Sequence, residues 1–314
     1  MKAGNQQQDH LTDDEVARLN ADFYSSFPYS EMNYQLHSNV LMLNPRDELF
    51  HLVSTNTACG DLHIRTGDAT ADKFRSSAAL GLVVLSQHVA ETLLRVLWVH
   101  ACEEQCPWVA LAALRRRDAV HEIAQQVRLG TLLTPGGRLG LRKVVSAHVY
   151  GNGDGKPLAD SYDEVLDTAC EWVRLAAELA DGSHLYNAYK HGLTLSYHPP
   201  LPLTVTAGED TFEDSMDPSF AYLRRPSAGD DRTCAWIQDF DPVDVDQRAI
   251  ASLVLLQFVG NVLFLGAIKR GVPCAVPSTK WYPASFTPDF VARKKISPFT
   301  MELAPREYGA RHDR

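Results

Sequence analysis

The chain lacks an excess of positive charge: 30 lysines and arginines stand against 39 aspartates and glutamates, a net charge of −9. That balance argues against broad electrostatic binding to DNA, where affinity comes from neutralising many phosphates. The two dense basic runs, Arg115-Arg116-Arg117 and Arg293-Lys294-Lys295, read first as solvated surface. An apolar run of membrane length is also missing. The most hydrophobic segment, Leu253 to Ile268, is interrupted by Gln257, Gly260 and Asn261 and is shorter than the roughly 20 residues that span a bilayer. It reads as a buried core helix, and no membrane partner is expected. The Gln-rich first ten residues hold no apolar stretch after Lys2, so they do not form a secretory signal. The six cysteines, Cys59, Cys102, Cys106, Cys170, Cys234 and Cys274, are too scattered for a disulfide framework and suit reduced thiols. A cytoplasmic location is the expectation.

Metal and cofactor signatures are equally scarce. Cys102 and Cys106 share a helical face near His100, but small residues at a helix end are the favoured reading over a metal site. The loop Gly151-Asn152-Gly153-Asp154-Gly155-Lys156-Pro157 fails as a phosphate loop, which needs glycine where Tyr150 stands and a hydroxyl where Pro157 stands. As a calcium loop it would put Tyr150 and Ser161 at its end ligand positions. Neither a cofactor nor a metal is expected.

What is present is a core: 45% of the residues are hydrophobic, enough for one substantial domain. Thr12-Asp13-Asp14-Glu15 is a capping box opening a short helix to about Phe23. Glu48 to Asn56 and Asp61 to Thr66, split by Cys59-Gly60, suggest a small hairpin. Asp72 to Glu104 reads as one helix, apolar on most of its circumference and therefore central. Trp108 to Arg128 is helical with a break near Arg115, Thr131 to Gly140 is a Gly/Pro loop, and Leu141 to Val149 is a further helix. A helix from Tyr162 to about Lys190 follows. Short β-type runs at Leu193–Tyr197, Leu203–Thr206, Phe220–Arg224 and Thr233–Gln238 come before a last helix, Asp244 to Lys269. The expected fold is mainly α: an antiparallel helical bundle core with a small inserted antiparallel β-sheet, an α+β arrangement. Residues 1–71 form an N-terminal segment, 72–270 the helical core with the β insertion at 193–238, and 271–314 a mostly irregular tail.

Polar residues inside these apolar helices are the candidate site. At 100° per residue, Leu80, Val84, Gln87, Glu91, Leu94 and Trp98 share one stripe, with His88 and Arg95 at its edge. A carboxylate there requires a partner, and Arg95 stands four residues after Glu91. Gln257 and Asn261 form a second pair. The third set is Tyr186-Asn187-Ala188-Tyr189-Lys190-His191-Gly192, where Asn187, Lys190 and His191 project from one face and Gly192 is a plausible C-cap. Packed together, the three sets would make a polar layer with the composition of an acid–base pocket. Equally, each set could satisfy local hydrogen bonds or fix helix register.

This last segment resembles the signature of the HEPN superfamily, whose helical domains carry Arg-Asn-x-x-x-His after an acid-bearing helix. Asn187 and His191 occupy the matching positions, and Tyr186 stands where the family has arginine. The resemblance implies an RNA- or nucleotide-binding protein of defence or stress type, including a metal-independent ribonuclease. In that reading His191 moves protons, Asn187 and Lys190 complete the catalytic face, and Gln87, Glu91, Arg95, Tyr186, Gln257 and Asn261 line the binding region. Lys190 or Arg95 would supply the charge that the family's arginine provides. Two alternatives stand beside it: a non-catalytic interaction or scaffold protein with a structural polar layer, and a helical protein binding a small molecule. Catalysis remains open, and a homodimer is compatible with all three.

Overall fold

The computed structural model describes residues 11–44, 57–59, 62–64, 71–114, 118–151, 162–181, 195–198, 201–207, 210–216, 219–224, 236–274 and 299–303. The chain divides into two compact units, residues 1–183 with 245–293 and residues 184–244 with 294–314. The first is a helical bundle. Its helices are α1 (Asp13–Ser26), α2 (Tyr29–Leu43), α3 (Ala71–Ala101), α4 (Pro107–Ala113), α5 (Ala119–Arg128), α6 (Leu141–Val149), α7 (Tyr162–Asp181) and α8 (Val245–Lys269).

Helix α1 starts where its capping box places it. Thr12 Oγ1 accepts from the Glu15 amide at 3.3 Å, and Glu15 Oε2 accepts from the Thr12 amide at 2.8 Å. Both pairings satisfy amides that a helix start would otherwise leave open. Asn20, Phe23 and Tyr24 form its buried face, with the Phe23 and Tyr24 rings edge to face at 4.9 Å. Helix α2 was not legible, because only Met32 and Leu36 are buried along it, too narrow a stripe to register as a period.

Helix α3 is the axis of the bundle. It packs against α2, α4, α5, α6, α7 and α8, which is why apolar residues surround it: Leu82, Val89, Leu93, Leu94 and Val99 are all fully buried. Gly81 lets α2 close on it, since a Cβ there would sit 2.6 Å from the Asn39 side-chain oxygen. Helix α8 is the second core element and touches α1, α2, α6 and α7 besides α3. Both helices are long and apolar enough to cross a bilayer by length and composition, and 61% of the most apolar window of each is buried inside the protein. Burial of that kind is what core helices require.

The stretch from Thr131 to Gly140 is a hairpin, not the expected loop. Strands β3 (Thr131–Thr134) and β4 (Gly137–Gly140) pair in register, Thr131 with Gly140 and Thr134 with Gly137, about a Pro135-Gly136 turn. The cause is tertiary: Leu132 is fully buried, and Trp98 Nε1 donates to the Leu133 carbonyl at 2.9 Å. Another short hairpin pairs β1 (Thr57–Cys59) with β2 (Leu62–Ile64) antiparallel; of the expected split at Cys59-Gly60, Cys59 belongs to β1 and Gly60 lies outside the described residues. Its first strand lies one step later than the Glu48–Asn56 run, which falls outside the described residues. The break in the second helical stretch separates α4 from α5. Arg115, Arg116 and Arg117, the glycine-rich loop 152–157 and the proposed end of α7 at Lys190 are also outside the described residues.

The second unit is β-rich. Strands β5 (Leu195–His198), β8 (Ser219–Arg224), β9 (Trp236–Pro242) and β10 (Phe299–Leu303) form a four-stranded sheet in the order β10-β9-β8-β5, every neighbouring pair antiparallel. Strands β6 (Leu201–Ala207) and β7 (Asp210–Met216) make a separate antiparallel hairpin. The inserted antiparallel sheet is thus present. β7 went unread because Asp210, Glu213 and Asp214 give it the composition of a loop, and β10 because it is a single strand in a proline-punctuated tail.

The orientation of α8 can be checked by paired substitutions. Leu255 is fully buried and Leu253 is 39% exposed, so Leu255→Ala should cost about 2–5 kcal/mol and Leu253→Ala under about 1 kcal/mol. Urea unfolding of both variants measures the difference; equal losses would place the helix the wrong way round.

Candidate anion-binding cavity

The polar residues singled out in the sequence are distributed as follows. Gln87 is buried, while Glu91, Arg95, Gln257 and Asn261 are half-buried. Because α3 and α8 pack against each other, two of the three sets of the expected polar layer lie on touching helices. Arg95 Nη1 donates to the Leu114 carbonyl at 2.9 Å and so fastens the end of α4. Glu91 is not left without an interaction. The side-chain oxygen of Gln257 is buried with no hydrogen-bond partner among the described residues. Tyr186, Asn187, Lys190 and His191 lie outside the described residues.

The structure points to a different place, one the sequence reading missed. The ends of α3 and α8 converge there with α6 and the β3–β4 turn around a cavity of about 580 Å³. Its back wall is built on His100, which is 3% exposed. Val96 offers only a carbonyl, so Nδ1–H of His100 donates to it at 2.7 Å. Nε2 is then an acceptor and receives the Tyr24 hydroxyl at 2.9 Å. The Tyr24 oxygen accepts in turn from Arg270 Nη1 at 3.1 Å. Along Arg270, Tyr24, His100 and Val96 every donor meets an acceptor, so the buried Tyr24 hydroxyl and His100 ring are satisfied together.

Burial, first of all, pushes the His100 imidazole down to about 3, and the nearby charges of Arg270 and Lys269 act in the same direction. Burial likewise raises the Tyr24 phenol to about 12. Both groups are therefore neutral at pH 7. Gly266 makes the arrangement possible, since a Cβ at that position would lie 2.6 Å from the Tyr24 hydroxyl and closer still to His100 Nε2. With both nitrogens occupied His100 cannot ligate a metal, and burial raises the neighbouring Cys102 thiol to about 12, well away from the thiolate that metals need. Among the described residues no group of three or more His, Cys, Asp or Glu side chains could hold a metal ion.

Arg270 also closes the end of α3. Its Nη2 donates to the Glu104 carbonyl at 2.5 Å and its Nε to the Gln105 carbonyl at 3.5 Å, while Asn20 donates to Gln105 from α1 at 3.0 Å. Cations at helix ends complement the negative pole and the open carbonyls found there. Between these clamps Glu103 takes φ 56°, the single non-glycine residue with positive φ among the described residues. Its amide donates to the His100 carbonyl at 3.2 Å, and its Oε1 meets Lys269 Nζ at 2.9 Å. That hydrogen bond and the charge of Lys269 hold the Glu103 carboxyl below the usual carboxylate range.

The opposite wall comes from α6, which contributes exposed Lys143 and half-buried His148. Burial and then the Lys269 charge bring His148 down to about 4. At neutral pH the described lining thus presents three cations, Lys143, Lys269 and Arg270, two neutral imidazoles and one carboxylate, Glu103. Leu139, Val144 and Leu265 make up apolar wall between them. In a chain with net charge −9, this is a local reversal of sign.

No protein-family model matches the chain, and neither a curated protein nor a solved structure matches it. The site therefore stands on its geometry. Sequence signals for it did exist: a glycine inside the apolar run Leu263-Phe264-Leu265-Gly266 marks a close backbone approach, and Lys269-Arg270 closes the same helix. Nothing local connects them to His100 or Lys143, which are brought there by packing.

Gly266→Ala tests the wall directly. Its methyl group must displace the His100 ring, so a loss of about 1–3 kcal/mol is expected, against the stabilisation that alanine gives in an unconstrained helix. A variant as stable as the parent in urea unfolding would contradict the close packing.

Proposed function

We propose that the protein binds a nucleotide or RNA phosphate in the cavity between the ends of α3 and α8. The observation that carries this reading is the meeting of Lys143, Lys269 and Arg270 beside apolar wall, in a chain otherwise acidic. The volume, about 580 Å³, lies within the roughly 300–1,000 Å³ of small-ligand pockets. Such pockets pair apolar wall for a ring with a few charged groups for orientation. The HEPN-like resemblance of the Asn187/His191 segment supports the same ligand class, and a cytoplasmic defence or stress role belongs to the same proposal.

The cavity favours binding over catalysis. Efficient proton transfer needs an imidazole that titrates near the working pH, whereas His100 and His148 are held at about 3 and about 4. Ribonuclease chemistry would instead rest on His191 with Asn187 and Lys190, and would need no metal.

One experiment separates these roles. Purified protein is titrated with adenosine 5′-monophosphate and with a short RNA, then incubated with the RNA in the presence of a chelator. Lys143→Ala and Lys269→Ala should each weaken binding about tenfold, in line with charge-assisted hydrogen bonds. Cleavage, where present, should persist with chelator and vanish in His191→Ala. Unchanged affinity in both lysine variants would contradict the cavity, and saturable binding of neither ligand would favour a non-catalytic scaffold.

A further inference from the structure

We infer that His148 is a contact of the bound anion and takes up a proton from water when the anion binds, so that the cavity holds its ligand more tightly as pH falls below neutral; the inference rests on the binding role proposed above. Lys143, Val144, Ala147 and His148 all line the cavity, and their spacing puts them on one face of α6, which thus carries both a cation and an imidazole to the ligand. The two histidines of the cavity differ in what they have left to offer. Both ring nitrogens of His100 are occupied, by Val96 and Tyr24. Neither nitrogen of half-buried His148 has a hydrogen-bond partner among the described residues, and neither is sealed from solvent. Its N–H is an open donor, and its second nitrogen is an open site for a proton.

Without a ligand the surroundings keep that second nitrogen unprotonated. Burial first of all, then the charge of Lys269, disfavours the imidazolium; Glu103 opposes this and Arg270 adds to it. Lys143 brings a further positive charge to the lining, while His100 and Cys102, on the α3 side, are neutral. From the β3–β4 hairpin the lining takes Thr134, Gly136 and Leu139, none of which titrates, and the hairpin's Arg138 is exposed. Helix α7 meets α6 through Asp163 and Asp167 on Arg142, none of them among the described lining residues. A dianion placed among Lys143, Lys269 and Arg270 reverses the balance. It offsets the cations that opposed the proton and adds negative charge beside the ring, and both effects favour the imidazolium. By reciprocity, a proton on His148 then strengthens the hold on the anion.

The coupling is negligible well above neutral pH, where the ring is neutral with or without ligand, and it grows as pH falls toward the value of about 4 that the ring has without one. In that window the other shifted groups of the lining keep their charge: His100 lies at about 3, Cys102 at about 12, and Glu103 below the usual carboxylate range. A phosphate ligand would blur the effect, because its own second ionisation falls at about pH 6. Sulfate has the same tetrahedral shape and stays a dianion throughout, so protons taken up with it belong to the protein.

The test titrates the full chain with sodium sulfate by calorimetry at pH 5.5 and pH 8, each in two buffers of different ionisation heat, which counts the protons taken up per anion bound. Adenosine 5′-monophosphate is titrated at pH 8 beside it. The wild type should bind sulfate about fivefold or more tightly at pH 5.5 than at pH 8, with proton uptake only at the lower pH. His148→Gln, which keeps a hydrogen-bonding side chain that cannot be protonated, should bring the two affinities within about twofold and abolish the uptake; its circular dichroism is checked first. Nitrogen-15 NMR gives a readout without the variant: the wild-type His148 signals should move toward those of imidazolium when sulfate is added at pH 5.5. Sulfate binding without proton uptake, or with the same uptake in His148→Gln, would overturn the inference and leave the cavity as an anion site. Uptake with sulfate but no binding of the nucleotide would overturn the nucleotide reading and keep the inference. Nucleotide binding without sulfate binding would overturn the claim that the anion draws the proton, and binding of neither would overturn both.

Discussion

A single buried hydrogen bond, from the Tyr24 hydroxyl to His100 Nε2 at 2.9 Å, is the contact on which the cavity depends. It joins α1 to α3, and Arg270 extends it to α8. Tyr24 and His100, both buried, would each be costly to bury alone. Together they are satisfied, provided that His100 stays neutral and residue 266 has no side chain. The position of the α3 end follows from this chain, and with it the strained Glu103 and the lysine it holds. Removing the Tyr24 hydroxyl would leave His100 Nε2 as an unpaired acceptor in the core, while Arg270 would keep its bonds to Gly266, Glu104 and Gln105.

The cavity then acquires its sign from the way helix ends are neutralised. Two helices finish at the same place, where Arg270 donates to the Gly266, Glu104 and Gln105 carbonyls and Lys269 pairs with Glu103. Part of the positive charge is therefore structural. Lys143, arriving from α6, and Lys269, held only by an exposed carboxylate, are the portion left for a ligand. This division gives an acidic chain a locally cationic cavity, the feature on which the proposed phosphate binding rests.

Much of the architecture was legible because it is written in local pattern. The capping box at Thr12 to Glu15, the all-round apolar surface of α3, the break between α4 and α5, and the change to β pattern beyond Leu193 each have a physical signature within ten or twenty residues. Where the reading failed, distant packing decided. Strand β3 forms because Leu132 is buried and Trp98 bonds its backbone, neither of which shows in the Thr131–Gly140 composition. The cavity was illegible for the same reason: His100, Gly266, Lys143 and Tyr24 are far apart in sequence, and each alone has an ordinary reading. Cys102 and Cys106 drew attention to His100 as a metal ligand, but its two nitrogens serve Val96 and Tyr24. The polar residues of α3 and α8 are on neighbouring helices, while the Asn187/His191 segment lies outside the described residues.

The state of the His100 ring tests this account most directly. Nitrogen-15 NMR of the imidazoles, followed from pH 5 to pH 8, reports both tautomer and titration. Burial that places the group at about 3 requires a neutral, Nδ1-protonated ring throughout that range, with no shift of its signals. A ring that titrates near the ordinary value of about 6.5, or one protonated at Nε2, would contradict the buried chain and the cavity built on it.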